Sequence, residues 1–324
     1  MPVTPRMRRR AVLASLPALP LARIAAAQSE PLRIIVNFPP GSLGDGLARL
    51  LADRAQRDGI GAAVVENRPG AAGNIGAAAL ARAQPDGRTL LISIDTIFTV
   101  NPHLYRNLGF DPGSLEPVGM AGHFGLALLV HPSSPARDLA GLIAAARRES
   151  VFYCSGGNGS PGHLAMERLR HEAGLPPGAF SHVPMRGNTE ALTSLLAGTV
   201  QAGFLAIGGG PELVRAGRLV AIAVSTPERI PFLPEVPTMI EAGAPGFDLR
   251  IGLLLMAPRG TPLPALAPWL AALRAVLTDP AAQPRFTAWG LQPDFADRAA
   301  TASWIAAAHD RWGRMVRETG MQLD

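Results

Sequence analysis

From Tyr153 to Leu164 the chain reads Tyr-Cys-Ser-Gly-Gly-Asn-Gly-Ser-Pro-Gly-His-Leu. The short apolar run Val151-Phe152 precedes it, and Leu164-Ala165-Met166-Glu167-Arg168-Leu169 continues it as a helix. The pattern is a strand, a glycine-rich turn and a helix N-terminus. Such a turn leaves backbone N–H groups unpaired, with the positive end of the helix dipole behind them. That suits a small anion, carboxylate or phosphate. Gly157, Gly159 and Gly162 also spell G-x-G-x-x-G. The dinucleotide reading of that motif needs an acid about 20 residues on, at the end of the next strand. The next strand-like run, Phe180-Ser181-His182-Val183-Pro184, carries none. A turn that only joins a strand to a helix remains the plain alternative. Ser160 lacks the first glycine of a G-x-S-x-G nucleophile elbow.

The same unit recurs upstream. Leu32 to Asn37 reads as a buried strand, and Pro39-Pro40-Gly41-Ser42-Leu43-Gly44-Asp45 as a loop. Leu47, Leu50, Leu51 and Ala55 then follow at helical spacing. Ser42 or Asp45 can cap that helix, and the cap reading suits Asp45, whose carboxylate would repel a bound anion. A third glycine turn runs from Asn67 to Gly76. Strands are expected at 63–66, 89–94, 124–131, 200–207, 219–224 and 251–257. Helices are expected at 77–83, 135–149, 189–197, 238–242, 261–277 and 298–317. Residues 95–117 read as loop. Alternating strands and helices imply an α/β fold with parallel sheets. Two anion-ready turns more than a hundred residues apart suggest two α/β lobes, each offering a helix N-terminus to a shared cleft.

At 324 residues the chain is long enough for two such lobes. Charge excludes other partners. The net +5 comes from Arg6, Arg8, Arg9, Arg10 and Arg23; beyond them 25 Arg face 25 acids. No global basic field favours nucleic acid or membrane. Arg8-Arg9-Arg10, the short apolar stretch Ala11 to Ala22 and Ala25-Ala26-Ala27 read as a signal peptide of residues 1–27, cleaved before Gln28. Arg9-Arg10 permits a twin-arginine signal as well as an ordinary Sec signal. The expected location is outside the cytoplasm. Cys154 is the sole cysteine, so no intramolecular disulfide can form. A packing role or a reactive thiol is open to it. The seven histidines are scattered, with no H-E-x-x-H or C-x-x-C, so no metal and no cofactor is expected.

Several segments together resemble the substrate-binding proteins of bacterial tripartite tricarboxylate transporters, the Bug-type periplasmic receptors. They are Phe38 to Asp45 with Ala48-Arg49, Glu66 to Gly76, Pro85 to Leu91, Leu104-Tyr105 with Asp111-Pro112, and Ser155 to Leu164. His182-Val183-Pro184 with Gly187, Leu233 to Phe247 and Ala257 to Pro262 complete the series. The resemblance implies a two-lobed periplasmic binding protein-like fold with the ligand cleft between lobes. Lobe 1 would hold residues 28–125 and 247–324, and lobe 2 residues 126–246, with hinges near 124–126 and 246–250. It implies a small organic carboxylate as ligand, the membrane permease of the transporter as partner, a monomer, and no catalysis. Carried over, the site falls on Phe38, Gly41, Ser42, Asp45 and Thr96 in the first lobe. In the second it falls on Ser155, Gly156, Asn158, Gly159, Ser160 and His163, with the backbone at Leu205-Ala206. His163 has the equal alternative of only hydrogen-bonding its loop. A periplasmic sensor is the alternative function, and an enzyme acting on a small organic acid a further one. Departures from the family pattern are Ser42 in place of a glycine, Met185 in place of an aromatic, Leu205 in place of an acid, Arg250 near a missing Trp, and Asp95 beside Thr96.

Overall fold

The computed structural model describes Met1 and residues 31–323. The signal peptide expected at 1–27 lies, apart from Met1, outside the described residues. Two sheets organise the chain. One has six strands: β1 (Leu32–Val36), β2 (Ala63–Asn67), β3 (Thr89–Ile94), β4 (Leu115–Phe124), β10 (Ile251–Pro258) and β11 (Gln292–Ala296), in the order β11-β4-β10-β3-β1-β2. The other has five: β5 (Leu126–Val130), β6 (Val151–Ser155), β7 (Phe180–Pro184), β8 (Ala202–Ala206) and β9 (Val220–Val224), ordered β7-β6-β8-β5-β9. The result is a two-lobed α/β fold, one lobe per sheet.

The chain passes between sheets at Gly125 and again between β9 and β10. The sequence shows Phe124 to His131 as one apolar run. In the structure the run is broken at Gly125, where a Cβ would stand 2.5 Å from the Thr226 methyl. Ser225 Oγ accepts from the Leu126 N–H and donates to the Leu249 carbonyl, tying both crossovers together. The sheets are mixed rather than parallel. β1 runs parallel to β2 and β3, and β6 parallel to β7 and β8. The crossover strands reverse this: β10 is antiparallel to β3 and β4, and β5 to β8 and β9. A strand that enters from the other lobe carries no crossover helix, so nothing obliges it to run parallel.

Helices cover the sheets. They are α1 (Leu43–Arg57), α2 (Asn74–Ala81), α3 (Thr96–Thr99), α4 (Asn101–Leu104), α5 (Leu139–Arg148), α6 (Pro161–Glu172), α7 (Asn188–Leu196), α8 (Gly210–Arg215), α9 (Leu263–Thr278), α10 (Gln283–Trp289) and α11 (Arg298–Thr319). Ser42, Asp138, Ser160 and Asp297 cap α1, α5, α6 and α11 through their side chains. Because of the Asp138 cap, α5 begins at Leu139 and not at Pro135. The helix expected at 238–242 is a hydrogen-bonded turn. There the Thr238 N–H donates to Glu241 and the Glu241 N–H donates to Thr238 Oγ1. The stretch 95–117 holds two short α-helices, a 3-10 turn at Pro112–Ser114 and the start of β4 instead of loop alone. α11 packs on β4 and α3 of the first lobe and touches α6 of the second. None of the helices among the described residues is long and apolar enough to cross a membrane.

Candidate functional site

The C-terminal ends of β3, β4 and β8 and the N-terminal parts of the crossover strands β5 and β10 meet where the two lobes face each other, and a cavity of about 430 Å³ lies there. The first lobe contributes Phe38 to Gly44, the loop from β1 into α1, with Ile94, Phe124, Leu253, Ala288 and Trp289. The second contributes Leu126, Gly156, Ser160 to Gly162, Arg186 to Thr189, Phe204, Ala206, Gly208 and Gly209. The opening residues of three helices, α1, α6 and α7, are therefore in its wall. Their free N–H groups and dipoles give the wall a positive character without a buried cation. Gly187, the N-cap of α7, provides no side-chain cap. Arg186 is exposed at the cavity, and its guanidinium makes no ion pair among the described residues. No Asp, Glu or His is among the lining residues.

Each loop is fixed from behind. The Asp45 carboxylate accepts from the Gly41 N–H at 3.0 Å, from Arg49, and from the Asn67 amide at 3.0 Å. Burial pushes its pKa up, but Arg49, the Gly41 N–H and Asn67 outweigh this and hold it below the ordinary range. Asp45 thus steadies the first loop and does not line the cavity. In the second lobe Ser160 Oγ accepts from the His163 N–H and donates to Ser155 Oγ at 3.0 Å. Ser155 Oγ also accepts from the Gly157 N–H and stands 2.7 Å from His182 Nε2. His182 stacks on His163 with ring centroids 3.9 Å apart and on Tyr153 at 4.9 Å. Burial, then the neighbouring His163, pushes the His182 pKa down to about 3, so its ring is neutral. Ser155 and His182 are close enough for a nucleophile–base pair. Ser155 is nonetheless fully buried, beneath the cavity wall, where its bonds shape the Gly157 turn.

Of the residues singled out in the sequence, Phe38, Gly41, Ser42, Gly156, Ser160 and Ala206 come together in the cavity wall. Asp45, Thr96, Ser155, Asn158, Gly159, His163 and Leu205 lie outside it. Thr96 is buried at the start of α3. Asn158 is exposed. Gly159 packs towards Leu104, Tyr105 and Leu323 of the first lobe, and its N–H donates to His163 Nδ1 at 3.1 Å. His163 therefore has the loop role. Leu205 faces away because side chains alternate along β8: Phe204 and Ala206 face the cavity, and Leu205 enters the core on the other face with Cys154. Cys154 is buried and burial raises its pKa, which is the packing role. The sequence reading did not include Arg186 to Thr189, although Gly187 after the strand 180–184 repeats the strand–glycine–helix signal. It also lacked the apolar floor and Trp289, which only the crossovers and the chain's return bring to the cleft.

A family model described as the tripartite tricarboxylate transporter family receptor matches residues 47–321. The chain belongs to this receptor family. Protein BugT of Bordetella pertussis is 34% identical over 300 residues, 91% of each chain. A solved structure titled R. palustris Rpa4515 with adipate superposes with a TM-score of 0.83 at 29% identity, covering 90% of this chain and 98% of that one. MatC from Rhodopseudomonas palustris, with bound malate, gives 0.77 at 27% identity, covering 88% and 98%. Asp95 is turned away from the cleft: its carboxylate accepts from Trp304 Nε1 at 2.7 Å and from the Gly252 N–H at 3.0 Å.

Proposed function

We propose that this receptor is an exported solute-binding protein that captures a small organic carboxylate and delivers it to the membrane permease of a tripartite tricarboxylate-type transporter. The observation that carries the reading is the convergence of three helix N-termini on one cleft between the lobes, with no acid in its wall. A carboxylate is met there by backbone N–H groups, by the Ser42 and Thr189 hydroxyls, and by Arg186. Hydrogen bonds to a charged oxygen contribute roughly 1.5–3 kcal/mol each. A few of them reach micromolar affinity, about −8 kcal/mol. Relatives with bound adipate and malate support the ligand class. The arginine-led apolar N-terminus supports export through the cytoplasmic membrane to the periplasm. The lobes, 28–125 with 247–324 and 126–246, would close on the ligand about Gly125 and residues 246–250. Binding is favoured over catalysis because Ser155, the hydroxyl beside His182, is fully buried and neither residue is among those lining the cavity.

Ser160 is the residue on which to test this. Replacing it by Trp fills the cleft from the α6 side. Calorimetric titration with carboxylates should then show no heat of binding, while the free protein still unfolds cooperatively, with stability lowered by about 1 kcal/mol for the lost α6 cap. Unchanged affinity would remove the second-lobe turn from the site.

A further inference from the structure

Resting on the carboxylate reading, we propose that the occupant of this cleft is a monocarboxylate with a bulky apolar body, a ring or a branched chain. Short polar diacids, hydroxy acids and amino acids are the excluded classes. The division of the lining carries this. Every strand residue in the wall except the small Ala206 is a large apolar one: Ile94, Phe124, Leu126, Phe204 and Leu253. They are only 7%, 6%, 4%, 1% and 1% exposed, so their contact with solvent is confined to a narrow strip. Phe38 and Trp289 are in the wall beside them. The polar lining side chains all come from the loops and helix starts.

The strand floor offers a ligand no hydrogen bonds. The Leu126 N–H is given to Ser225 Oγ, the Ala206 N–H to Asn188 Oδ1, and Ile94 and Leu253 pair in the sheet ladder. A hydroxyl or a second carboxylate pressed onto this floor would lose its water and gain nothing. An ammonium group fares no better. Asp45 is committed to Gly41, Arg49 and Asn67, and Asp95 to Trp304 and Gly252. Leu205 turns its side chain into the core. At about 430 Å³ the cavity is well above the ~150 Å³ that an apolar cavity needs to take benzene. There is room for a ring and its carboxylate.

The test is isothermal titration of the whole protein with two ligand series. The first is butyrate, hexanoate, benzoate, phenylacetate and cyclohexanecarboxylate. The second is succinate, malate, citrate and aspartate. Affinity should rise about fourfold for each methylene added between butyrate and hexanoate. Ring acids should bind at least tenfold more tightly than any member of the second series, and phenylacetamide should bind far more weakly than phenylacetate. Tighter binding of malate, succinate, citrate or aspartate would overturn the inference and leave the carboxylate reading standing. Equal binding of the amide would overturn the carboxylate reading itself. Silence from both series would overturn both.

Discussion

Asp95 follows Ile94, whose side chain lines the cleft, yet its own carboxylate is fully buried in the first lobe. Oδ2 takes two hydrogen bonds, from Trp304 and Gly252, while Oδ1 has no partner. Burial pushes this carboxyl up to about 6, against the pull of Trp304, Gly252 and the Arg311 charge. Arg250 and His123 face it across the Trp304 ring. The sign of the linkage follows. With the folded pKa above the unfolded one, the native state holds the extra proton between about pH 4 and pH 6. Stability therefore falls as pH rises through that window, by about 2–3 kcal/mol from this group alone. Asp95→Asn should remove that slope: urea unfolding from pH 4 to 7 should show the variant gaining on the wild type as pH rises. Parallel profiles would mean that Asp95 is not desolvated as described. No local sequence pattern could reveal this residue's direction, because its partners lie 157 and 209 positions away. Asp45 was legible for the opposite reason. Its partners Gly41 and Arg49 are four residues to either side, on the same helix start.

At the scale of the element, α6 explains the third glycine of Gly157-x-Gly159-x-x-Gly162. A Cβ on Gly162 would stand 2.1 Å from the Phe204 carbonyl oxygen, because α6 lies directly on β8. That is the close helix–strand approach a glycine permits, and no nucleotide is needed to account for it. Helix propensity alone says that Gly162→Ala gains about 1 kcal/mol. The contact is with backbone, which cannot turn aside, so the variant should instead lose about 1–3 kcal/mol in denaturant titration and bind ligand more weakly. A stabilised variant would contradict this packing. The strands β3 and β7 were readable to the residue, since each is a short segment bounded by turn signals. β11 was not: Gln-Pro-Asp-Phe-Ala carries a proline and little alternation, and it survives as an edge strand paired only with β4. The resemblance put a hinge at 124–126, but the apolar pattern alone runs on from Phe124 to Val130 without a break, because both halves are buried, one in each sheet.

Across the whole molecule, the lobes meet at several places besides the cleft floor. The Gly209 N–H donates to the Ala288 carbonyl at 2.8 Å, and Gly187 approaches Pro39. These lobe contacts are made by residues that also line the cavity, so an anion held as proposed, by α1 on one side and by α6 and α7 on the other, would draw the lobes together. The two-lobe plan was legible because glycine turns after strands recur. The mixed sheets and the apolar floor were not, because both arise where the chain crosses between lobes. The most direct measurement is thermal unfolding of the protein against mono-, di- and tricarboxylates, amino acids and NAD. A carboxylate at a hundred times its dissociation constant should add about 2.7 kcal/mol, a rise of a few degrees in Tm. The account predicts that rise for one class of carboxylates and none for NAD. A rise with NAD alone, or none with any acid, would contradict it.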